Sequence, residues 1–141
     1  MPIRNFPFLQ FTKSAIPRPF LPIKIINPHT GRSHSTYGLI DTGADDCAVP
    51  AYIAPILGRN LESGSEKSII TGNGAAIAFA HTTRFEIYDP HGDLAHTVQD
   101  ALIDFMPNLN IVLLGVKSFL GEFVLNIDYP NQVFSITLKQ G

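Results

Sequence analysis

The segment Leu39-Ile40-Asp41-Thr42-Gly43-Ala44 places an acid, a hydroxyl and a glycine directly after an apolar run. A carboxylate there sits at the edge of a core, where loss of water penalises its charge unless N–H donors compensate. Gly43 permits the sharp turn that brings backbone N–H groups toward Asp41. Thr42 adds a hydroxyl able to bond locally or to a second chain. An acid so placed can exchange a proton with water or substrate. Asp-x-Gly is also ordinary turn chemistry, and the triplet by itself leaves both readings open.

Other reactive side chains offer less. Cys47 is the lone cysteine, so neither an intrachain disulfide nor a cysteine zinc site can form, and no basic neighbour activates its thiol. It reads as a small buried apolar residue, and the cytosol is the expected compartment. The five histidines fall in turns or on strand faces, and His91 and His96 lack the helical spacing of a zinc pair, so no metal is expected. There is no Gly-x-Ser-x-Gly elbow. Gly72-x-Gly74 lacks the third glycine of a nucleotide fingerprint.

The elements that must hold Asp41 read as strands. Ten Phe, eleven Gly and eleven Pro suit short strands and turns, giving an all-β expectation, mainly β with one short helix. Residues 20–26 and 35–40 read as strands around an Asn-Pro-His-Thr-Gly turn, and 50–57 as a short helical turn ended by Gly58. A hairpin is expected between 67–71 and 75–80, with Gly72-Asn73-Gly74 at its tip. Residues 95–104 alternate weakly, 111–114 form an apolar strand, 118–123 read as a helical turn or two, and 124–127 with 133–138 close the chain as a hairpin. Residues 1–19 read as an extended arm because four prolines exclude a helix, and 20–141 as one domain.

The sequence resembles the retropepsin-like aspartic proteases, single-lobed and of bacterial type. Residues 39–44 resemble the active-site loop, Ile70-Thr71-Gly72-Asn73-Gly74 the flap, and Ile111-Val112-Leu113-Leu114-Gly115 the strand behind the loop; the terminal hairpin, with Ile127-Asp128-Tyr129-Pro130, is also similar. The resemblance implies a closed, six-stranded-type acid-protease barrel that cleaves peptide bonds with an activated water and no cofactor. In that family two Asp share one proton, because like charges so close cannot both ionise.

This chain has one Asp-Thr-Gly, and no second such loop surrounds Asp89, Asp93, Asp100, Asp104 or Asp128. The resemblance therefore implies a C2 homodimer, with Asp41 from each chain at the axis and Thr42 and Gly43 supporting the loop. By the same carry-over Ala44, Asp45, Gly72, Asn73 and Gly74 contact an extended polypeptide substrate, while Ile111 and Leu113 line apolar pockets. Hydrophobic residues are then expected around the cut. Val116 and Lys117 stand where Arg followed by Asp or Asn is common in the family. Asp45 is thus left without its usual partner or takes Lys117 or Arg4.

Length and charge bound the alternatives. The chain has 141 residues, enough for one domain and too few for two lobes. A net charge of −2 gives no basic surface for nucleic acid, and no apolar stretch is long enough to span a membrane. Asn5-Phe6-Pro7-Phe8 resembles an aromatic-Pro sequence that retroviral relatives cut, though a proline-stiffened arm packed on the domain is the simpler expectation. The rival functions are a catalytically silent retropepsin-like dimerisation or peptide-binding module and a plain β-barrel interaction domain.

Overall fold

A computed structural model describes residues 1–72 and 74–139. Its strands are β1 (Ile3–Pro7), β2 (Phe20–Ile26), β3 (Ser33–Ile40), β4 (Ala48–Pro50), β5 (Ser65–Thr71), β6 (Gly74–Tyr88), β7 (Leu94–Met106), β8 (Val112–Leu114), β9 (Phe123–Asp128) and β10 (Val133–Leu138). One short helix, α1, spans Ile53–Ile56, and 3₁₀ turns span Leu61–Ser63 and Leu120–Glu122.

Hydrogen-bonded neighbours run in the order β2-β3-β8-β4-β7-β6-β5, and β2 also pairs with β6. That second pairing closes six strands into a ring, leaving β5 as a branch on β6. The chain is therefore a closed, six-stranded β-barrel with one short helix, as expected. Alternation on β6 aims His81, Thr83, Phe85 and Ile87 inward, opposite Leu21, Ile23 and Ile25 of β2. Each fully buried Phe or Ile contributes about 1.5–3 kcal/mol. Pro22 is tolerated within β2 because pairing with β6 begins only at Ile23.

Two strands extend past the ring. β6 is 15 residues long; its first half pairs with β5 as a hairpin, and its second half belongs to the barrel. The β5–β6 hairpin thus grows from a barrel strand without an intervening loop on that side. The partner β7 spans 13 residues and reaches β4, which is buried throughout.

Residues 1–19 pack on the domain: after β1 the chain turns at residues 11–15 and folds back, with Leu9 bridging Arg18. β1 pairs with β10, seating Ile3 opposite Ile136 and Phe6 opposite Phe134. Phe6 and Phe134 stack at 5.4 Å, and Phe11 packs on Phe20 and Tyr37. Proline excludes a helix but not an edge strand, and β1 is the edge of the three-stranded sheet β1-β10-β9. The Phe6–Pro7 bond lies within this pairing.

A buried polar knot ties the loop after α1 to the barrel. Arg59 donates to Asn27 Oδ1 at 3.1 Å and to the Thr82 carbonyl. His81 Nε2 lies 2.8 Å from the Leu61 carbonyl and Nδ1 lies 3.4 Å from Arg59. Both contacts are satisfied by a neutral imidazole that donates from Nε2 and accepts at Nδ1. Burial, chiefly, holds His81 below its ordinary value. The unfolded chain therefore takes up this proton first as pH falls. His81's contribution to stability is full above about 6.5 and is lost as pH drops from there toward the folded value, by at most about 1.4 kcal/mol per pH unit. Urea midpoints at about pH 7.5 and about pH 5.5 in wild type and His81→Gln check this, the variant being expected to show the smaller acid loss.

Candidate active site

β3 and β8 run parallel, pairing Gly38 with Val112, Leu39 with Leu113 and Ile40 with Leu114. A Cβ on Gly38 would come within 2.9 Å of Leu114 Cγ, so glycine is what lets these strands close. Both strands end at the same level and release the two segments that build the site. Asp41 follows β3, and its N–H donates to the Leu114 carbonyl at 3.1 Å. The chain then turns, and the Gly43 N–H donates to Asp41 Oδ1 at 3.0 Å. This is the compensating donor that an acid at a core edge needs.

The segment after β8 clamps the loop from behind. Val116 N–H donates to the Ala44 carbonyl at 3.0 Å and Lys117 N–H to the Asp45 carbonyl at 2.7 Å. Just before them, Gly115 lies so close to the loop that a Cβ there would sit 2.7 Å from the Ala44 carbonyl oxygen. Val116 and Lys117 thus hold the loop through backbone groups, independently of their side chains. Among the described residues the Asp45 side chain forms no ion pair with Lys117 or Arg4. Arg4 instead lines a hollow on the outer face of the three-stranded sheet with Asp128.

A cavity of about 470 Å³ opens in front of the loop. Asp41, Gly43, Ala44 and Asp45 line its floor, Leu113 its back and Gly72, at the end of the β5–β6 hairpin, another side. Thr42 is exposed beside it, and Gly74 begins β6. Asn73 lies outside the described residues. Ile111 lies elsewhere, lining a separate hollow of about 230 Å³ with Phe11, Tyr37 and Tyr52.

Asp46, Asp104 and Met106 also line the cavity and were not anticipated, and neither were Ile69 or Ile70 as lining groups. Lys67 of β5 pairs with Asp104 at 3.0 Å and Asp46 at 3.5 Å. Asp104 raises the Lys67 ammonium above its usual value, while burial, outweighing Lys67, pushes Asp104 up. The available signal was Asp104 itself, a charge between Ile103 and Phe105 that a buried strand admits only with a partner.

Cys47 is buried behind the loop, with Sγ 3.5 Å from the Lys117 carbonyl. Burial pushes its thiol up to about 11, which makes it a packing group rather than a nucleophile.

No family model matches the chain, and no curated protein matches it in sequence. A solved structure does: a retropepsin-like aspartic protease from Rickettsia conorii superposes with a TM-score of 0.56, at 22% identity, over 82% of this chain and 89% of that one. The fold of this chain is therefore the retropepsin-like one. Among the described residues, no helix is long and apolar enough to cross a membrane.

Proposed function

We propose that the chain is half of a homodimeric aspartic endopeptidase, with one active site per two chains. The observation that carries this reading is the cavity itself: a floor holding Asp41, its carboxylate braced by the Gly43 N–H, beside the β5–β6 hairpin read as a flap. Thr42 and Gly43 are exposed next to it, so a second copy can approach about a two-fold axis and bring its own Asp41 alongside. Ile70, on the flap, is 90% exposed, as suits a group covered by substrate or partner.

In that dimer the two carboxylates share one proton. The ionised one takes a proton from water as the water oxygen bonds to the scissile carbonyl carbon. The protonated one gives its hydrogen to the carbonyl oxygen, forming a gem-diol. Collapse breaks the C–N bond as the nitrogen gains a proton, leaving a carboxylic acid and an amine, with one proton again on the pair. No covalent enzyme intermediate and no cofactor take part. The substrate lies extended, bonded through its backbone to the loop at Gly43–Asp45 and to the flap at Gly72–Gly74. Leu113, Ile69, Ile70 and Met106 favour hydrophobic side chains around the cut, whereas Ile111 faces its own hollow and takes no part in this cavity. Cytosolic residence accords with the lone reduced thiol.

β10 has both edges occupied by β1 and β9, so any pairing of terminal strands between copies must use another edge or the sheet's outer face. The test is concentration. Specific activity on a mixed peptide library is expected to rise with protein concentration in step with the dimer fraction seen by sedimentation velocity. Cleavage that stays constant per chain while the protein sediments as a monomer would overturn the shared site.

A further inference from the structure

One ion-pair cluster beside the cleft has no part in the chemistry described above. Lys67 stands on the flap strand β5, opposite Ala78 of β6. Its ammonium bridges Asp104 Oδ1 at 3.0 Å and Asp46 Oδ2 at 3.5 Å. Asp46 follows the active-site loop, whereas Asp104 lies in β7, pairing with Ala48 on one side and Ala80 on the other. The Asp104 side chain is only 4% exposed, yet both carboxylates line the cavity that holds Asp41. The wall around them is apolar, from Ala48, Ile69 and Met106.

Two carboxylates and one ammonium leave this wall with one net negative charge. Without the ammonium Asp104 is left unpaired and almost free of water, a group that a proton or any cation able to reach it would neutralise. Lys117 acts on Asp104 as well, but more weakly than Lys67. With Lys67 in place, a second cation arriving from the substrate meets like charge and finds its acceptor occupied.

We propose, on the basis of the peptidase reading, that Lys67 determines specificity in this part of the cleft. Its ammonium fills the place that a substrate Lys or Arg would take against Asp46 and Asp104. The subsite therefore accepts an apolar or neutral side chain and turns a basic one away.

The test uses peptides whose scissile bond is replaced by a non-hydrolysable reduced amide, with Leu or Lys placed in turn at each of the positions nearest that bond. Binding is measured by calorimetry at pH 7, because burial raises Asp104 and a lower pH would discharge the unpaired acid. Wild type and Lys67→Arg are expected to bind the Leu peptide about 10-fold more tightly at the position facing the recess. Lys67→Met is expected to move that ratio at least about 10-fold toward the Lys peptide, at that position alone, as the ligand's ammonium replaces the missing one. Adding Asp104→Asn to Lys67→Met should remove the swap. Circular dichroism of each variant confirms folding. A Leu-to-Lys ratio unchanged in Lys67→Met, a swap that survives Asp104→Asn, or no binding to any peptide overturns the assignment. Because binding does not require cleavage, a swap without turnover of the hydrolysable peptides would sustain the role of Lys67 and overturn the peptidase reading alone.

Discussion

Asp41→Asn is expected to abolish cleavage, lowering kcat by at least about 10³-fold, while the protein stays folded and dimeric. The amide matches the carboxylate in shape, and its oxygen can still accept the Gly43 N–H that Asp41 Oδ1 now accepts at 3.0 Å. An amide cannot take the proton from water, and it carries no O–H to give to the carbonyl oxygen. Replacing both copies removes the acid and the base together. Substrate affinity should survive, because Ala44, Leu113 and Gly72, which also line the cavity, are untouched. Mixing wild-type and variant chains makes the shared site visible. Equal amounts exchanged to equilibrium should show about one quarter of the activity of an all-wild-type sample of the same total concentration, against about one half if each chain worked alone. Wild-type turnover by the purified variant would end the assignment of Asp41 as the shared acid and base.

The barrel was readable from the sequence where period and punctuation agree. Strand β2 has the expected bounds, Phe20–Ile26, and the hairpin around Asp128-Tyr129-Pro130-Asn131 lies within a residue of its expected place. Strand β4 was hidden, because three residues enclosed on every side, Ala48-Val49-Pro50, have no alternation to detect and their proline suggests a helix start. Strand β7 was faint for a related reason. Ile103, Asp104 and Phe105 are consecutively buried, since β7 is covered on both faces there. Asp41, Gly43, Ala44, Asp45, Gly72 and Leu113, which the family resemblance singled out, line one cavity. The Lys67–Asp104 pair joins residues 37 positions apart through β5, β6 and β7. No local spacing encodes that meeting, and it follows only from the register of Ala80 opposite both Ser65 and Asp104. The brace from Val116 and Lys117 was invisible for a different cause: it is made by backbone N–H groups, on which residue identity is silent.

That backbone brace makes Gly115→Ala the most damaging single-methyl change expected near the site. The added Cβ would lie 2.7 Å from both the Ala44 carbonyl oxygen and the Asp46 carbonyl carbon, inside any ordinary contact. Neither side can yield freely. Val116 N–H is held by Ala44 at 3.0 Å and Lys117 N–H by Asp45 at 2.7 Å, so separating loop from strand stretches the two bonds that align them. Overpacking of this kind costs about 1–3 kcal/mol, and each weakened backbone bond adds about 0.5–1.5 kcal/mol. With two such bonds the loss is about 2–6 kcal/mol, which at this chain length corresponds to a fall in Tm of roughly 5–25 °C. Activity should suffer more than stability. Asp41 N–H is anchored to the Leu114 carbonyl at 3.1 Å, one residue before Gly115, so the strain reaches the carboxylate directly. A displacement near 1 Å at a reacting group costs about 10²-fold in kcat. Calorimetric melting, with kcat measured well below the lowered Tm, separates the two effects. Amide exchange at Val116 and Lys117 should speed up in the variant even where global stability is ample. Wild-type melting, exchange and turnover together in Gly115→Ala would show that the loop is held by something other than this clamp.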